Sequence, residues 1–331
     1  MILAGDIGGT NARMALYDVQ DGQLNLAKLG VFPSQHYPGL EKIVAEFVQS
    51  AGVQPSKACF GIAGPVTNGR VVASNLPWVV ESRMLADELK IPRADLINDL
   101  EATGWGIGAL SVSDLVTLND VTGKSGTTAT GNLALIAAGT GLGEGGLYWD
   151  GVRHHVFASE GGHCDFAPLD DIQVELFKYL RTRYDHVSYE RVLSGPGLVN
   201  IFDFLRDTGK GKPPDWLVGE MVESDAAAAI SHAGLTGKCS MCAQVLDILV
   251  AIFGAEAGNL ALKLKATGGV FLAGGIAPKI LPKLQTPAFL DAFLGKGRMR
   301  RLMEIMPVSV ITNDKLALLG AARCALLDAA A

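Results

Sequence analysis

Three times along this chain a short apolar segment runs straight into a glycine turn, and few architectures need that break repeatedly. Ile2 to Ala4 leads into Gly5-Asp6-Ile7-Gly8-Gly9-Thr10, Leu133 to Ala137 leads into Gly139-Thr140-Gly141-Leu142-Gly143, and Val270 to Ala273 leads into Gly274-Gly275. Without a Cβ, backbone amides can close on a phosphate group, so each turn is a candidate phosphate cradle as well as an ordinary bend. The first turn carries more than glycine. Asp6 precedes it, and Thr10 and Asn11 follow, a carboxylate and two short polar side chains suited to a hydrated metal ion and the phosphates it bridges.

The segments around these turns read as alternating strands and helices. Strands are predicted at Ile2 to Ala4, Arg13 to Val19 and Leu24 to Phe32, and Asp21-Gly22 marks an antiparallel hairpin between the last two. Leu40, Ile43, Val44, Phe47 and Val48 form one face of an amphipathic helix. A strand at Ala58 to Ala63, a helix near Glu81 to Leu89 and a strand at Asp95 to Ile97 complete a first unit. A polar loop is expected from Asn119 to Gly131. The pattern then restarts with strands at Leu133 to Ala137 and Leu147 to Trp149. Two strand–glycine turn–strand units, around Gly9 and around Gly141, suggest a duplicated architecture. Helices follow at Ile172 to Arg183, Pro196 to Leu205 and Ala243 to Lys265, then strands at Val270 to Ala273 and Val308 to Ile311, and a helix from about Lys315 to Leu327.

At 331 residues the chain is long enough for two cores. A net charge of −6 leaves no electrostatic footprint for nucleic acid, and the basic cluster Lys296, Arg298, Arg300 and Arg301 reads as a solvated surface. Five cysteines, odd in number and mostly isolated, suit a reducing compartment, with Cys239 and Cys242 read as buried or bystander thiols. With no leader-like opening and no apolar run of the ~18 residues a membrane span needs, the expected location is the cytoplasm, with no membrane partner. Gly123-Lys124-Ser125 lacks the upstream glycine of a P-loop, since position 118 is Leu118. The dinucleotide fingerprint, the His-Glu-x-x-His zinc motif and the Gly-x-Ser-x-Gly elbow are also missing.

Three polar clusters remain. Asn98-Asp99 ends an apolar strand where a helix begins, so its carboxylate is a helix cap or a general base. Glu160-Gly161-Gly162-His163 sets an acid and an imidazole around two glycines, and Tyr189-Glu190-Arg191 precedes Leu193-Ser194-Gly195-Pro196-Gly197. Carboxylates, amides and imidazoles together can fix several hydroxyls of a sugar.

Taken in order, these segments resemble the bacterial glucokinases of the hexokinase, heat-shock-protein and actin ATPase clan. The resemblance rests on Gly5 to Arg13, Ile97-Asn98-Asp99, Ala138 to Gly143, Glu160 to Pro168, Glu190 to Leu198 and Leu272 to Ile276, which together span nearly the whole chain. It implies an α/β, two-lobed actin-like (ribonuclease H-like) ATPase fold with a nucleotide and sugar cleft between lobes. The implied small domain is 1–110, completed by a C-terminal helix at about 312–331, and the large domain is 111–311. The implied activity is ATP-dependent phosphorylation of the glucose 6-hydroxyl, the first step of glycolysis, by a homodimer. Carried over motif by motif, Asp99 is the base, while Asn98, Asp99, Glu160, His163 and Glu190 bind sugar, with Asn75 as a further sugar-facing residue. Gly5, Asp6, Ile7, Gly8, Gly9, Thr10 and Asn11 meet the nucleotide phosphates, and Asp6 stands near Mg²⁺, through water. Gly139, Thr140 and Gly141 form the second phosphate turn, and Gly274 and Gly275 the adenosine side.

The rivals are a kinase for fructose, mannose or an N-acetylated amino sugar, a nucleotide-switched chaperone or filament protein of the same clan, and a silent sugar sensor. The Glu160, His163 and Glu190 set argues for a sugar enzyme, and Asp99 argues against a silent one. ADP and polyphosphate are the alternative donors. The related repressor, open-reading-frame and kinase group carries a cysteine-rich zinc motif shortly after its Glu-Gly-Gly-His-like segment, where this chain has only Cys164, so a structural zinc is not expected.

Overall fold

The computed structural model describes residues 1–121 and 130–327. Most of the loop expected from Asn119 to Gly131, including Gly123-Lys124-Ser125, lies outside the described residues. The chain divides into two compact units. One comprises Met1–Ser111, Val156–Ala158 and the chain from Asn313; the other comprises Val112–His155 and Ser159–Thr312.

The first unit is built on β1 (Ile2–Ile7), β2 (Asn11–Gln20), β3 (Gln23–Pro33), α1 (Leu40–Ala51), β4 (Lys57–Ile62), β5 (Arg70–Val72), β6 (Val79–Glu81), α2 (Ser82–Leu89), β7 (Ala94–Asn98) and α3 (Asp99–Ile107). Its sheet runs in the order β3-β2-β1-β4-β7. The hairpin between β2 and β3 turns at Asp21 (φ 51°) and Gly22 (φ 77°), the left-handed pair that a tight two-residue hairpin requires. The apolar stripe of α1 behaves as its spacing predicts: Leu40, Ile43, Val44 and Phe47 are buried, Val48 only partly. The opposite face of the sheet is closed by a C-terminal helix (Leu316–Leu326), whose Leu318, Ala321, Ala322 and Ala325 join Ile2, Ala4, Ala15, Tyr17, Cys59 and Ala102 in one core. Glycine lets this helix reach α3. A Cβ on Gly106 would lie 2.6 Å from the Leu316 carbonyl oxygen, and one on Gly320 would fall on that of Ala102. Arg13 reinforces the approach by donating to the Asp314 carbonyl at 2.8 Å.

The second unit contains β8 (Leu115–Asn119), β9 (Leu133–Ala138), β10 (Leu142–Trp149), the ends of β11 (His154–Ser159, whose Val156–Ala158 are counted with the first unit), α4 (Asp171–Leu180), α5 (Gly195–Asp207), α6 (Asp215–Glu223), α7 (Ala226–Leu235), α8 (Ser240–Leu264), β12 (Gly269–Ala273), α9 (Leu281–Leu284), α10 (Pro287–Leu294), α11 (Arg300–Glu304) and β13 (Val308–Ile311). The sheet order is β11-β10-β9-β12-β13-β8. Its first five strands repeat the first sheet: an antiparallel hairpin joined through its first strand to two parallel neighbours. The duplication suggested by two glycine turns is therefore present in the topology.

One expectation needs correcting. Helix α8 is long and apolar enough to cross a membrane by length and composition, although no such segment was expected. Its apolar residues are spent inside the protein: 78% of the span-like window is buried, apolar all round as a core helix is. Cys239 and Cys242 are buried, as expected, and the Cys239 Sγ also accepts the Cys242 N–H at 3.3 Å and caps α8.

Candidate active site

In the first unit the polar residues collect at the carboxyl ends of the parallel strands β1, β4 and β7, where open α/β sheets place their ligand sites. The turn after β1 closes with Gly8 N–H donating to the Asn11 carbonyl at 3.0 Å. It is pinned from behind by Ser34, whose hydroxyl donates to the Gly8 carbonyl at 2.8 Å and whose N–H donates to that of Thr10 at 3.0 Å. Gly9 lies against Asn75, to whose Cβ a new methyl would come within 2.7 Å, so Asn75 is an immediate neighbour of the turn. Thr10 and Asn11 are exposed. Gly5 and Ile7, expected among the nucleotide-facing residues, sit inside the sheet. Their main chains pair with β2 and β4, the Ile7 side chain is buried, and Gly5 faces Phe60. Both support the turn rather than line it.

Asn98 and Asp99 occupy the junction of β7 and α3, and the structure separates their duties. Asn98 is the helix cap: its Oδ1 accepts the Leu100 N–H at 2.8 Å, and Glu101 returns to the Asn98 N–H at 3.0 Å, a complete capping box. Its Nδ2 donates to the Gly64 carbonyl at 3.1 Å. Gly64 has φ 135°, and a Cβ there would come 2.9 Å from the Val72 carbonyl oxygen, so glycine suits the position that presents this acceptor. Asp99 is the first residue of α3, and its Oδ1 also accepts the Leu100 N–H, at 2.9 Å. The α3 dipole favours negative charge there. Gly61 allows the approach of α3, since a Cβ would come 2.7 Å from Ala102 and 3.7 Å from the Asp99 Cα. The carboxyl of Asp6 is pushed up to about 6, chiefly by burial and further by the charge of Asp99, with Arg13 acting in the opposite direction. Two acids within electrostatic reach beside a phosphate-type turn form a donor set that a hard divalent cation would relieve, so Asp6 fits a Mg²⁺ held jointly with phosphate oxygens.

In the second unit the turn after β9 and the turn after β12 lie side by side. Gly139 N–H donates to the Gly141 carbonyl at 2.9 Å, and Ile276 N–H donates to the Ala138 carbonyl at 3.0 Å. Gly274 adopts φ 81° with the Ala138 carbonyl where its Cβ would stand. Both features demand glycine. Glu190 unexpectedly belongs to this turn as well as to its own segment. Its Oε2 accepts the Leu142 N–H at 3.0 Å and lies 2.5 Å from the position of a Cβ on Gly141. The segment continues into Ser194, which caps α5 by accepting the Gly197 N–H at 3.0 Å, while Gly195 N–H donates to the Gly139 carbonyl at 2.8 Å.

Glu160 precedes a single 3₁₀ turn and His163 ends it; both are exposed, with His163 Nε2 3.9 Å from Glu160 Oε2. The Glu160 turn and the Glu190 turn are stitched together by main chain: Tyr189 N–H donates to the Cys164 carbonyl and Phe166 N–H to the Val187 carbonyl, each at 3.0 Å. His163 and Glu190 also line a cavity of about 390 Å³ with Arg183, Tyr184, His186 and Arg191. Behind both turns lies a buried acid pair, Glu144 on β10 and Glu256 on α8, that sequence reading missed. Its signal was available: Glu256 is an acid set among the apolar and small residues Phe253, Ala255 and Ala257 in the middle of α8.

Comparison with known proteins agrees in one direction. Residues 3–328 match the glucokinase family. A glucokinase of Trichormus variabilis is 43% identical, with 98% of each chain covered. The crystal structure of a glucokinase from an Antarctic psychrotroph superposes with a TM-score of 0.84 at 30% identity, covering 98% of each chain. A Streptomyces griseus ROK-family glucokinase, solved with glucose and AMPPNP, shares the fold at a TM-score of 0.65 and 21% identity.

Proposed function

The chain belongs to the glucokinase family, and from that membership we propose that it transfers the γ-phosphoryl group of ATP to the glucose 6-hydroxyl with Asp99 as general base. The observation that carries the residue assignment is the placement of Asp99 as first residue of α3, its Oδ1 anchored on the Leu100 N–H. A carboxylate so fixed can accept the hydroxyl proton as the oxygen attacks, without first reorienting. Little other covalent chemistry is asked of the chain, because phosphoryl transfer depends on positioning and on charge neutralisation.

The remaining roles follow the geometry within each unit. Backbone amides of Gly8, Gly9, Thr10 and Asn11, and of Gly139, Thr140 and Gly141, would receive phosphate oxygens, and Gly274 and Gly275 would flank the adenosine. Asp6 would hold Mg²⁺ through water. When bound, that ion neutralises phosphate charge. Asn75, Asn98, Glu160, His163 and Glu190 would hold sugar hydroxyls. The working form is a cytoplasmic homodimer with no membrane or nucleic-acid partner, the last supported by the net charge of −6.

A coupled assay with glucose, fructose, mannose and N-acetylglucosamine, each with ATP or ADP, tests the reaction. Glucose with ATP should give the highest kcat/KM. D99N should keep the fold and glucose binding and lose about 10²–10⁴-fold in kcat. Near-normal turnover of D99N would remove the base from the scheme.

A further inference from the structure

Glu144 and Glu256 are acids in the interior of the second unit, both essentially without solvent exposure. Burying two acids has a cost, so their surroundings bear on why they are there. Glu144 hydrogen-bonds Glu256, yet its Oε1 is fully buried with no hydrogen-bond partner among the described residues. Glu256 Oε2 accepts the Asn259 Nδ2 at 2.8 Å, and Lys263 Nζ lies 3.4 Å from its Oε1. Asn259 Nδ2 also reaches the Tyr189 hydroxyl at 3.0 Å, and Lys296 Nζ donates to Asn259 Oδ1 at 2.6 Å and to the Ala255 carbonyl at 2.8 Å.

The network touches both turns that carry the proposed sugar ligands. On one side the Gly161 backbone rests on Glu144, whose carboxyl occupies the space a Cβ would need. Ser159 ties the same turn down, donating to the Glu144 carbonyl at 2.8 Å and accepting the Gly161 N–H at 3.2 Å. On the other side the Tyr189 hydroxyl bonds Glu256 and Asn259, and Tyr189 immediately precedes Glu190. We propose that Glu144 and Glu256 are positioning residues for the sugar acceptor, a paired-carboxyl backing that holds the Glu160–His163 turn and the Glu190 turn in one fixed relation. The proposal rests on the reading that Glu160, His163 and Glu190 hold the sugar.

The pair works with one proton. Burial, with the charge of Glu256 second, pushes the Glu144 carboxyl up to about 8, while Lys263 opposes the shift. With its proton on, Glu144 can donate to the Glu256 side chain. The other titratable groups facing the pair are Lys263, Lys296 and Tyr189. Loss of the proton sets two buried negative charges against each other directly beneath Gly161, and the turn has to move.

Glucose and ATP KM values measured from pH 6.5 to 9.5 for the wild type, E144Q, E144L, H163A and E190A test this. The wild-type glucose KM should rise above about pH 8, by at most tenfold per pH unit for one ionisation, with the ATP KM steady. E144Q keeps a neutral donor at every pH, so it should match the wild type within about twofold at pH 7 and lose the alkaline rise. E144L removes the donor and should raise the glucose KM about tenfold or more at all pH values, if it folds. A flat wild-type profile, or the same alkaline rise in E144Q, overturns the proposal whether or not E144L folds. If H163A and E190A raise the glucose KM while a folded E144L leaves it unchanged, only the positioning role falls. If H163A and E190A leave it unchanged, the sugar assignment falls and takes the proposal with it.

Discussion

Gly141→Ala tests the unplanned meeting of Glu190 with the second glycine turn. Gly141 lacks a left-handed φ, so alanine fits its backbone, and whatever the substitution costs must come from the methyl group. That methyl would sit 2.5 Å from Glu190 Oε2 and 3.4 Å from its Cδ. A carbon–oxygen contact needs more than 3 Å, so the carboxylate has to retreat by roughly 1 Å, which breaks its 3.0 Å bond from the Leu142 N–H. A hydrogen bond to a charged group contributes about 1.5–3 kcal/mol, which corresponds to about a ten- to hundredfold loss in kcat/KM for glucose if Glu190 holds the sugar. The assay is steady-state kinetics on G141A, E190A and the double variant, with glucose and ATP varied separately. If the methyl acts through Glu190, the double variant should match E190A, because the group it strikes is gone. An equal further loss in the E190A background, carried by the ATP KM, would show that the methyl acts on the nucleotide turn. No loss in G141A itself would mean the Glu190 carboxylate can move without consequence. Either result refutes the coupling.

Alanine at Glu160, His163 or Glu190 should each lower glucose kcat/KM by about 1–3 kcal/mol with ATP affinity little changed, and intact glucose kinetics in all three would remove them from the sugar site. Stability should also report on Glu144. With its ordinary value at 4.5 and its folded value at about 8, its contribution is full below 4.5, declines by up to about 1.4 kcal/mol per pH unit across that window, and is flat above it. Denaturant unfolding of the wild type and E144Q from pH 5 to 9 should therefore diverge within the window, and parallel curves would deny the burial of a proton. Gly106→Val should destabilise the first unit by about 1–3 kcal/mol by forcing the C-terminal helix off α3, a shift readable in denaturant midpoint before any change in KM.

Legibility in the sequence followed local physics. The β2–β3 hairpin, the buried face of α1 and the four residues of β13 were readable because turn chemistry or apolar spacing alone decides them. Strand β10 was cut short to Leu147–Trp149, because Gly143, Gly145 and Gly146 look like a turn and are instead strand positions, the last two buried. Helix α7 offered Ala226 to Ala229 and little polar contrast, so no face stood out. Strands β8 and β11 are wholly or mostly half-buried and carry no clean alternation. At the site, motif resemblance named the residues but not their attachments. That Glu190 rests on the Gly141 turn, and that Glu144 and Glu256 lie behind both sugar-assigned turns, depends on pairings distant in sequence.

The C-terminal helix that closes the first sheet also dictates an order of events during synthesis. Residues 1–111 leave the ribosome about two hundred residues before the chain from Asn313 that completes their unit. Through that interval the apolar surface of Ile2, Ala4, Ala15, Tyr17, Cys59 and Ala102 has no Leu318 or Ala321 to cover it. The second unit, continuous but for three residues, meets no comparable delay. Vectorial synthesis thus hands the nascent first unit to chaperones or to aggregation for as long as translation of the second lasts, and slow codons there would lengthen the exposure.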